Sequence, residues 1–322
     1  MALQFSNHVV GGIDVPRYLF VGSELSPNVS FEENTTGVSG TAVIAREEDE
    51  TSPFGDYVLT VEDDNAAAQE YCEVTIDTGA AIAGKRFIVT AWARNDDDEG
   101  DLNLWCVFQG LTGTHEKQFI VDQTWWQRIV HEVVVPAGAA GNSLTYRIYP
   151  FAKIQGNAGE GKVRIDQFRC REILDEITMP LPTPGGERQM WRRENQSEAN
   201  LINGQNREYR LGVRYFYEAN YHERPLTAAQ EVNRSKIINS SDDILFFPHK
   251  DSPTCYLVKW DREYERTWGF GIAPFGHEGD IFLQGLELLP ELPIEVIDEL
   301  NEYTYEEAFW FEQMGDGFVF TS

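Results

Sequence analysis

Basic residues are sparse in this chain: 26 lysines and arginines stand against 53 aspartates and glutamates, a formal net charge of −27. A surface of that sign repels nucleic acid and anionic membranes, and no basic stripe with interleaved aromatics offsets it, so neither is expected as a partner. Cysteine is nearly as scarce. Cys72, Cys106, Cys170 and Cys255 show no C-x-x-C spacing and no nearby histidine, which excludes the usual zinc signatures and leaves four reduced thiols. No apolar run approaches the length of a membrane span. The opening Met1-Ala-Leu-Gln-Phe-Ser-Asn-His8 has neither a positive n-region nor an apolar h-region, so synthesis in a cytoplasm without a signal peptide is expected. There is no P-loop, no dinucleotide fingerprint and no G-x-S-x-G elbow, and no enzyme is expected.

What the chain has is aromatic and alternating. Its 322 residues are 42% hydrophobic and 12% aromatic, enough for a sizeable core and, by length, for two domains. Tyr57, Leu59 and Val61 alternate along one run; Phe87, Val89, Ala91 and Ala93 do so along another; Tyr146, Ile148 and Phe168 continue the habit. Period-two burial marks half-buried strands. Turn-forming clusters such as Asn34-Thr-Thr-Gly37, Asn95-Asp-Asp-Asp-Glu-Gly100 and Gly138-Ala-Ala-Gly141 separate the runs, and this punctuation predicts a β-sandwich.

The order of these segments carries a resemblance. Glu24-Leu-Ser-Pro-Asn-Val-Ser-Phe-Glu32 is followed by strands at 56–61 and Lys85-Arg-Phe-Ile-Val-Thr-Ala-Trp-Ala93, then by Trp125-Trp-Gln-Arg-Ile-Val130, Ser143–Tyr149 and Lys162-Val-Arg-Ile-Asp-Gln-Phe168. Over roughly the first 175 residues this resembles the jelly-roll carbohydrate-binding modules of the family 4, 9 and 22 type. The resemblance implies a structural calcium held by Glu32 and Asp166, carbonyls completing the shell. It also implies an aromatic face for a sugar, drawn from Trp92, Trp105, Phe108, Trp125, Trp126 and Tyr149. Trp92 reads as core. Trp105 shares its parity with Asn103 and Val107 and reads as outward. Trp125 and Trp126 are adjacent, so in a strand one is core and the other lies on an outer face. Trp105, Trp125 and Trp126 are therefore the candidate sugar contacts, although aromatics serve protein interfaces equally well.

A boundary is expected after residue 176. Met179-Pro-Leu-Pro-Thr-Pro-Gly-Gly186 reads as a linker, with an arm to residue 200. The next segment, 201–292, offers strands at Tyr209–Tyr217, Ile244–Phe247 and Thr254–Trp260, and a helix capped by Thr227, and so predicts a second, smaller β-rich (α+β) domain. Asp243-Ile-Leu-Phe-Phe-Pro-His-Lys-Asp251, Tyr256-Leu-Val-Lys-Trp260 and Gly276-His-Glu-Gly-Asp-Ile-Phe-Leu-Gln-Gly-Leu-Glu287 are similar to a segment of tailed-bacteriophage tail and baseplate proteins. A turn between strands explains His249 and Asp251 as well as an acid/base pair does, and Gly276-His-Glu lacks the second histidine of a zincin. With 53 acids, a glycosidase-like carboxylate pair arises by chance.

The last segment, 293–322, is a short amphipathic helix with Ile294, Ile297 and Leu300, then an arm carrying Tyr303, Tyr305, Phe309, Trp310, Phe311, Phe318 and Phe320. Such an arm docks either on its own second domain or on a neighbouring subunit. Three functions follow: a virion component of a phage tail or baseplate, with a jelly roll for host-glycan adhesion or particle decoration; a stand-alone or enzyme-attached carbohydrate-binding protein; and a glycan-cleaving enzyme. The absent export signal counts against the second and the absent catalytic constellation against the third. The expectation is therefore a virion protein in a homo- or hetero-oligomeric ring. Truncation after Leu300 is expected to leave a folded chain that no longer enters particles, read by its presence in purified virions; normal incorporation would show that the arm packs only on its own chain.

Overall fold

The computed structural model describes residues 15–64, 69–96, 102–113, 115–121, 125–151, 161–182, 187–198, 207–221, 226–249, 255–260 and 280–289. Within them β-branched and aromatic runs form strands, and turn residues end them. These are β1 (Arg17–Glu24), β2 (Val38–Gly40), β3 (Val43–Glu48), β4 (Tyr57–Asp63), β5 (Cys72–Asp77), β6 (Arg86–Asn95), β7 (Leu102–Gln109), β8 (Glu116–Val121), β9 (Gln127–Val134), β10 (Ser143–Phe151) and β11 (Gly161–Thr178). Then come β12 (Glu187–Glu198), β13 (Arg207–Asn220), helix α1 (Ala228–Asn239), β14 (Asp243–Phe247), β15 (Tyr256–Trp260) and β16 (Asp280–Leu289). The protein is mainly β, and its N-terminal half is a jelly-roll-like sandwich.

One sheet runs β2-β5-β10-β7-β8; the other holds β3, β4, β11, β6 and β9 on the sandwich side. Their inward residues, among them Leu59, Val61, Phe87, Val89, Leu104, Tyr146, Ile148 and Phe168, form one core. All four cysteines are buried and free, and burial pushes the Cys106 thiol up to about 12.

The larger sheet does not stop at the sandwich. Gly161–Ile165 of β11 pair with β4, and Arg171–Thr178 of the same strand pair with β1. The far edge of β1 pairs with β14, and the order continues through β15, β16, β13 and β12. Along β1, Tyr18 and Phe20 join a cluster with Tyr215, Tyr217, Ile244 and Phe246, and Leu19 and Val21 join another with Ile88, Leu245 and Leu257. A strand buried on both faces contributes about 1.5–3 kcal/mol per large side chain. Arg17, Glu176, Arg86 and Glu132, from β1, β11, β6 and β9, form a cluster in which each arginine meets both glutamates, at 2.6 Å for Arg17–Glu132, 2.7 Å for Arg17–Glu176 and Arg86–Glu176, and 3.5 Å for Arg86–Glu132.

Several expectations change here. The boundary at 176 falls inside β11. The start of the expected linker is anchored, because Met179 is buried and its N–H donates to Pro16 O at 3.1 Å; residues 183–186 lie outside the described residues. The arm over 187–198 is strand β12, because its residues find a full antiparallel partner in β13. The helix begins as read: the Thr227 hydroxyl accepts from Gln230 N and the Gln230 side chain accepts from Thr227 N, a capping box. Residues 290–322 lie outside the described residues, and with them Tyr303, Tyr305, Phe309, Trp310, Phe311, Phe318 and Phe320.

Phe246 is fully buried, with Tyr217 and Tyr18 ring centroids 4.3 and 5.0 Å away. Phe246→Ala is expected to cost about 3–5 kcal/mol. Because β14 and β1 share a ladder, calorimetry should show a single shifted transition. Two transitions, with only one displaced, would mean that the halves unfold independently.

Candidate functional site

Alternation along β10 turns Leu144, Tyr146 and Ile148 into the core and leaves Thr145, Arg147 and Tyr149 on the outer face of the five-stranded sheet. Register places Trp105 of β7 directly opposite Tyr149, and Gln118 of β8 opposite Trp105. The Trp105 and Tyr149 rings lie 5.1 Å apart at a 30° tilt, and Tyr71, just before β5, lies 5.3 Å beyond Tyr149 at 51°. The three half-buried rings make a row across three neighbouring strands. The Arg147 guanidinium sits 4.1 Å from the Tyr71 ring centroid, and its Nε donates to Glu73 Oε2 at 2.7 Å, so this cation beside the row has its charge matched. Ile120, on the same face at the sheet edge, is 61% exposed. Cross-strand aromatic pairs stabilise a sheet by roughly 0.2–1 kcal/mol, and the same ring faces can pack against sugar C–H surfaces.

Of the expected sugar contacts, Trp105 is in this row. Trp125 is half-buried beside the sheet edge: the Gln127 side chain accepts from Trp125 Nε1 at 2.9 Å and donates to Ile120 O at 2.6 Å. Trp126 is 6% exposed, donates to Thr51 Oγ1 at 3.3 Å and lies under the Arg94 guanidinium. An enclosed ring offers no stacking face, so Trp126 is a packing residue. Both tryptophans precede β9, so strand alternation does not govern them. Trp92 is corrected too: it is half-buried on the face opposite Phe87, Val89 and Ala91, with Arg128 over its ring. Tyr71 and Tyr149 are the row members that sequence reading did not select. The outward parity of Tyr149 was readable from its buried neighbours Tyr146 and Ile148, whereas Tyr71 required the sheet order.

Glu32 and Asp166 do come together, at the point where β11 changes partner. There the ladder is irregular between Asp166 and Arg169, and Phe31 and Gln167 hold left-handed φ angles of 57° and 51°. Carboxylates replace the missing ladder. Asp166 accepts from Gln167 N at 2.6 Å, Phe54 N at 3.0 Å and Ser52 Oγ at 3.0 Å. Glu32 accepts from Tyr57 N at 3.1 Å and Asp56 N at 3.2 Å, and Glu24 accepts from Cys170 N at 2.9 Å. Gly55, at φ 77°, lies so close to the Glu32 carboxylate that a Cβ there would strike it. Phe31 and Gln167, each next to one of the two acids, are the non-glycine residues with positive φ among the described residues. The donor chemistry of Glu32 and Asp166 suits a hard cation, but among the described residues no group of three acidic, histidine or cysteine side chains gathers, so carbonyls or water would complete a shell.

The same loop is fixed at its start by Asp49, which accepts from Arg94 and Arg164 at 2.8 Å each. Burial opposes its ionisation, yet the hydrogen bonds from Arg164 and Thr51 hold its carboxyl below the usual range. Among the described residues no helix is long and apolar enough to cross a membrane.

No family model matches this chain, and no curated protein does. Solved structures similar to it include the CBM22-1 xylan-binding domain from Paenibacillus barcinonensis Xyn10C, at 17% identity and a TM-score of 0.36 over 48% of this chain and 97% of that domain. The arabinose-bound MgGH51 α-L-arabinofuranosidase matches at 15% and 0.38 over 48% of this chain and 27% of the enzyme. The enzymatically active domain of bacteriophage CBA120 tailspike protein 4 matches at 15% and 0.35 over 47% of this chain and 21% of that one. The sandwich assignment rests on the protein's own sheets.

Burial, with the charge of Glu32 added, pushes the Asp166 carboxyl up to about 7 despite its hydrogen bonds. The folded state then holds this proton more tightly than the unfolded one. Ionisation costs stability as pH rises from about 4 to about 7, by on the order of 4 kcal/mol when complete. In chelator, melting temperature is expected to fall between pH 5 and pH 8, and Asp166→Asn to flatten that slope. Equal slopes in the two proteins would show that Asp166 does not carry the effect.

Proposed function

We propose that this protein is a structural component of a tailed-bacteriophage virion, in the tail or baseplate, whose sandwich binds a host-surface glycan along Tyr71, Tyr149 and Trp105. The observation that carries the glycan reading is the outward aromatic row, set on a sheet whose other face is locked into the core. Arg147 and Glu73 neutralise one another beside it, and the chain carries a net charge of −27, a combination that favours a neutral glycan over an acidic one. The reading assigns adhesion or particle decoration and no catalysis.

The virion setting rests on the tail-like segment, whose strand-forming parts are β14, β15 and β16. Neighbouring virion proteins are its partners under this reading. A calcium ion held by Glu32 and Asp166 would stabilise the sheet junction rather than take part in recognition. In that case excess calcium raises the melting temperature at pH 8, and this response disappears in Asp166→Asn.

Binding to a panel of neutral oligosaccharides tests the glycan reading. Trp105→Ala and Tyr149→Ala are each expected to weaken binding about tenfold, the loss of one stacked ring, while Trp125→Ala changes it less. Unchanged affinity in both row variants, or no binding by the intact chain, would contradict the site. Detection of the chain in purified particles tests the setting separately.

A further inference from the structure

Strand β12 is an end strand of the large sheet, and among the described residues only β13 pairs with it. Among the described residues its outer edge is unpaired, and alternate residues of the twelve turn backbone donors and acceptors outward, the template on which another strand can add. Its charge departs from that of the chain. Arg188, Arg192 and Arg193 balance Glu187, Glu194 and Glu198, so the strand is neutral in a protein of net charge −27. A second copy of so acidic a protein can approach at a neutral edge more readily than at an average surface.

The pattern along one face is also self-complementary. The even positions read Arg188, Met190, Arg192, Glu194, Gln196 and Glu198, two arginines followed by two glutamates. The irregularity in the β12–β13 ladder skips Leu211 of β13 and leaves the alternation of β12 intact. A two-fold axis normal to the sheet keeps each face of an antiparallel pair on its own side. With that axis at residue 193, Arg188 stands opposite Glu198 of the copy and Arg192 opposite Glu194, each pair occurring twice. Arg193 meets its own copy on the axis, the single like-charge position. Sliding the register two residues either way sets Arg192 against Arg192 or Glu194 against Glu194. Directly opposed unlike charges stabilise an antiparallel pair, and like charges destabilise it.

We infer that β12 pairs antiparallel with β12 of a second copy of this chain about a two-fold axis at Arg193, joining two sheets edge to edge. The interface is isologous, so each substitution acts twice. It is independent of the glycan row, which lies in the other sheet.

The test is the mass of the full-length chain in solution by light scattering, with thermal melting as a check on folding. The expected mass is that of two chains or an even multiple. Glu194→Arg and Arg192→Glu, each opposing like charges, should halve it, and the double variant Arg192→Glu with Glu194→Arg should restore it. A monomeric or odd-numbered parent, single variants that assemble as the parent does, or a double variant that stays dissociated would each overturn this pairing.

Discussion

Strand β1 is hydrogen-bonded along both edges and buried on both faces, and it joins the sandwich to the second half of the sheet. Its ladder with β11 closes the sandwich, and its ladder with β14 carries the same sheet into the second half. Tyr18 and Phe20 serve one cluster, Leu19 and Val21 another. A separate first domain cut after residue 176 would keep β11 but expose this strand along one edge and much of both faces. Exposed apolar edges are unstable in water and prone to pairing elsewhere.

Joining two regions through one sheet creates a difficulty where β11 leaves β4 and takes up β1. Backbone groups there lose their ladder partners, and a buried unpaired N–H is costly. Glu24, Glu32 and Asp166 supply the missing acceptors, and Phe31 and Gln167 adopt strained angles so that the chain can turn toward them. Part of the protein's acidity is thus structural. This arrangement holds the 49–57 loop, while the aromatic row on the opposite sheet is held by the alternation of β7 and β10 against the core.

Sequence reading recovered β7 and β10, whose burial alternates, β4 and β6, whose large apolar residues recur at every second position although both carry continuous buried runs, and the cap at Thr227, whose box is local. It missed β1 because Tyr18-Leu-Phe-Val21 is a short unbroken apolar run with no period in the sequence. It took β12 for an arm because the Pro/Gly stretch before it imitates a linker, and nothing local announces the pairing with β13. The candidate site was half legible. Trp105 followed from parity, and the proximity of Glu32 and Asp166 followed from a resemblance. Trp126 stayed among the candidates because alternation makes one of Trp125 and Trp126 core without saying which, and the Tyr71–Tyr149–Trp105 row exists only through cross-strand register.

Native-state hydrogen exchange measures the role of β1 most directly. If β1 is the shared strand, amides of β1, β11 and β14 should exchange together, at the free energy of global unfolding. Exchange of β14 at a much lower free energy, with β1 and β11 still protected, would contradict the account and make the second half a separate unit resting on a complete sandwich.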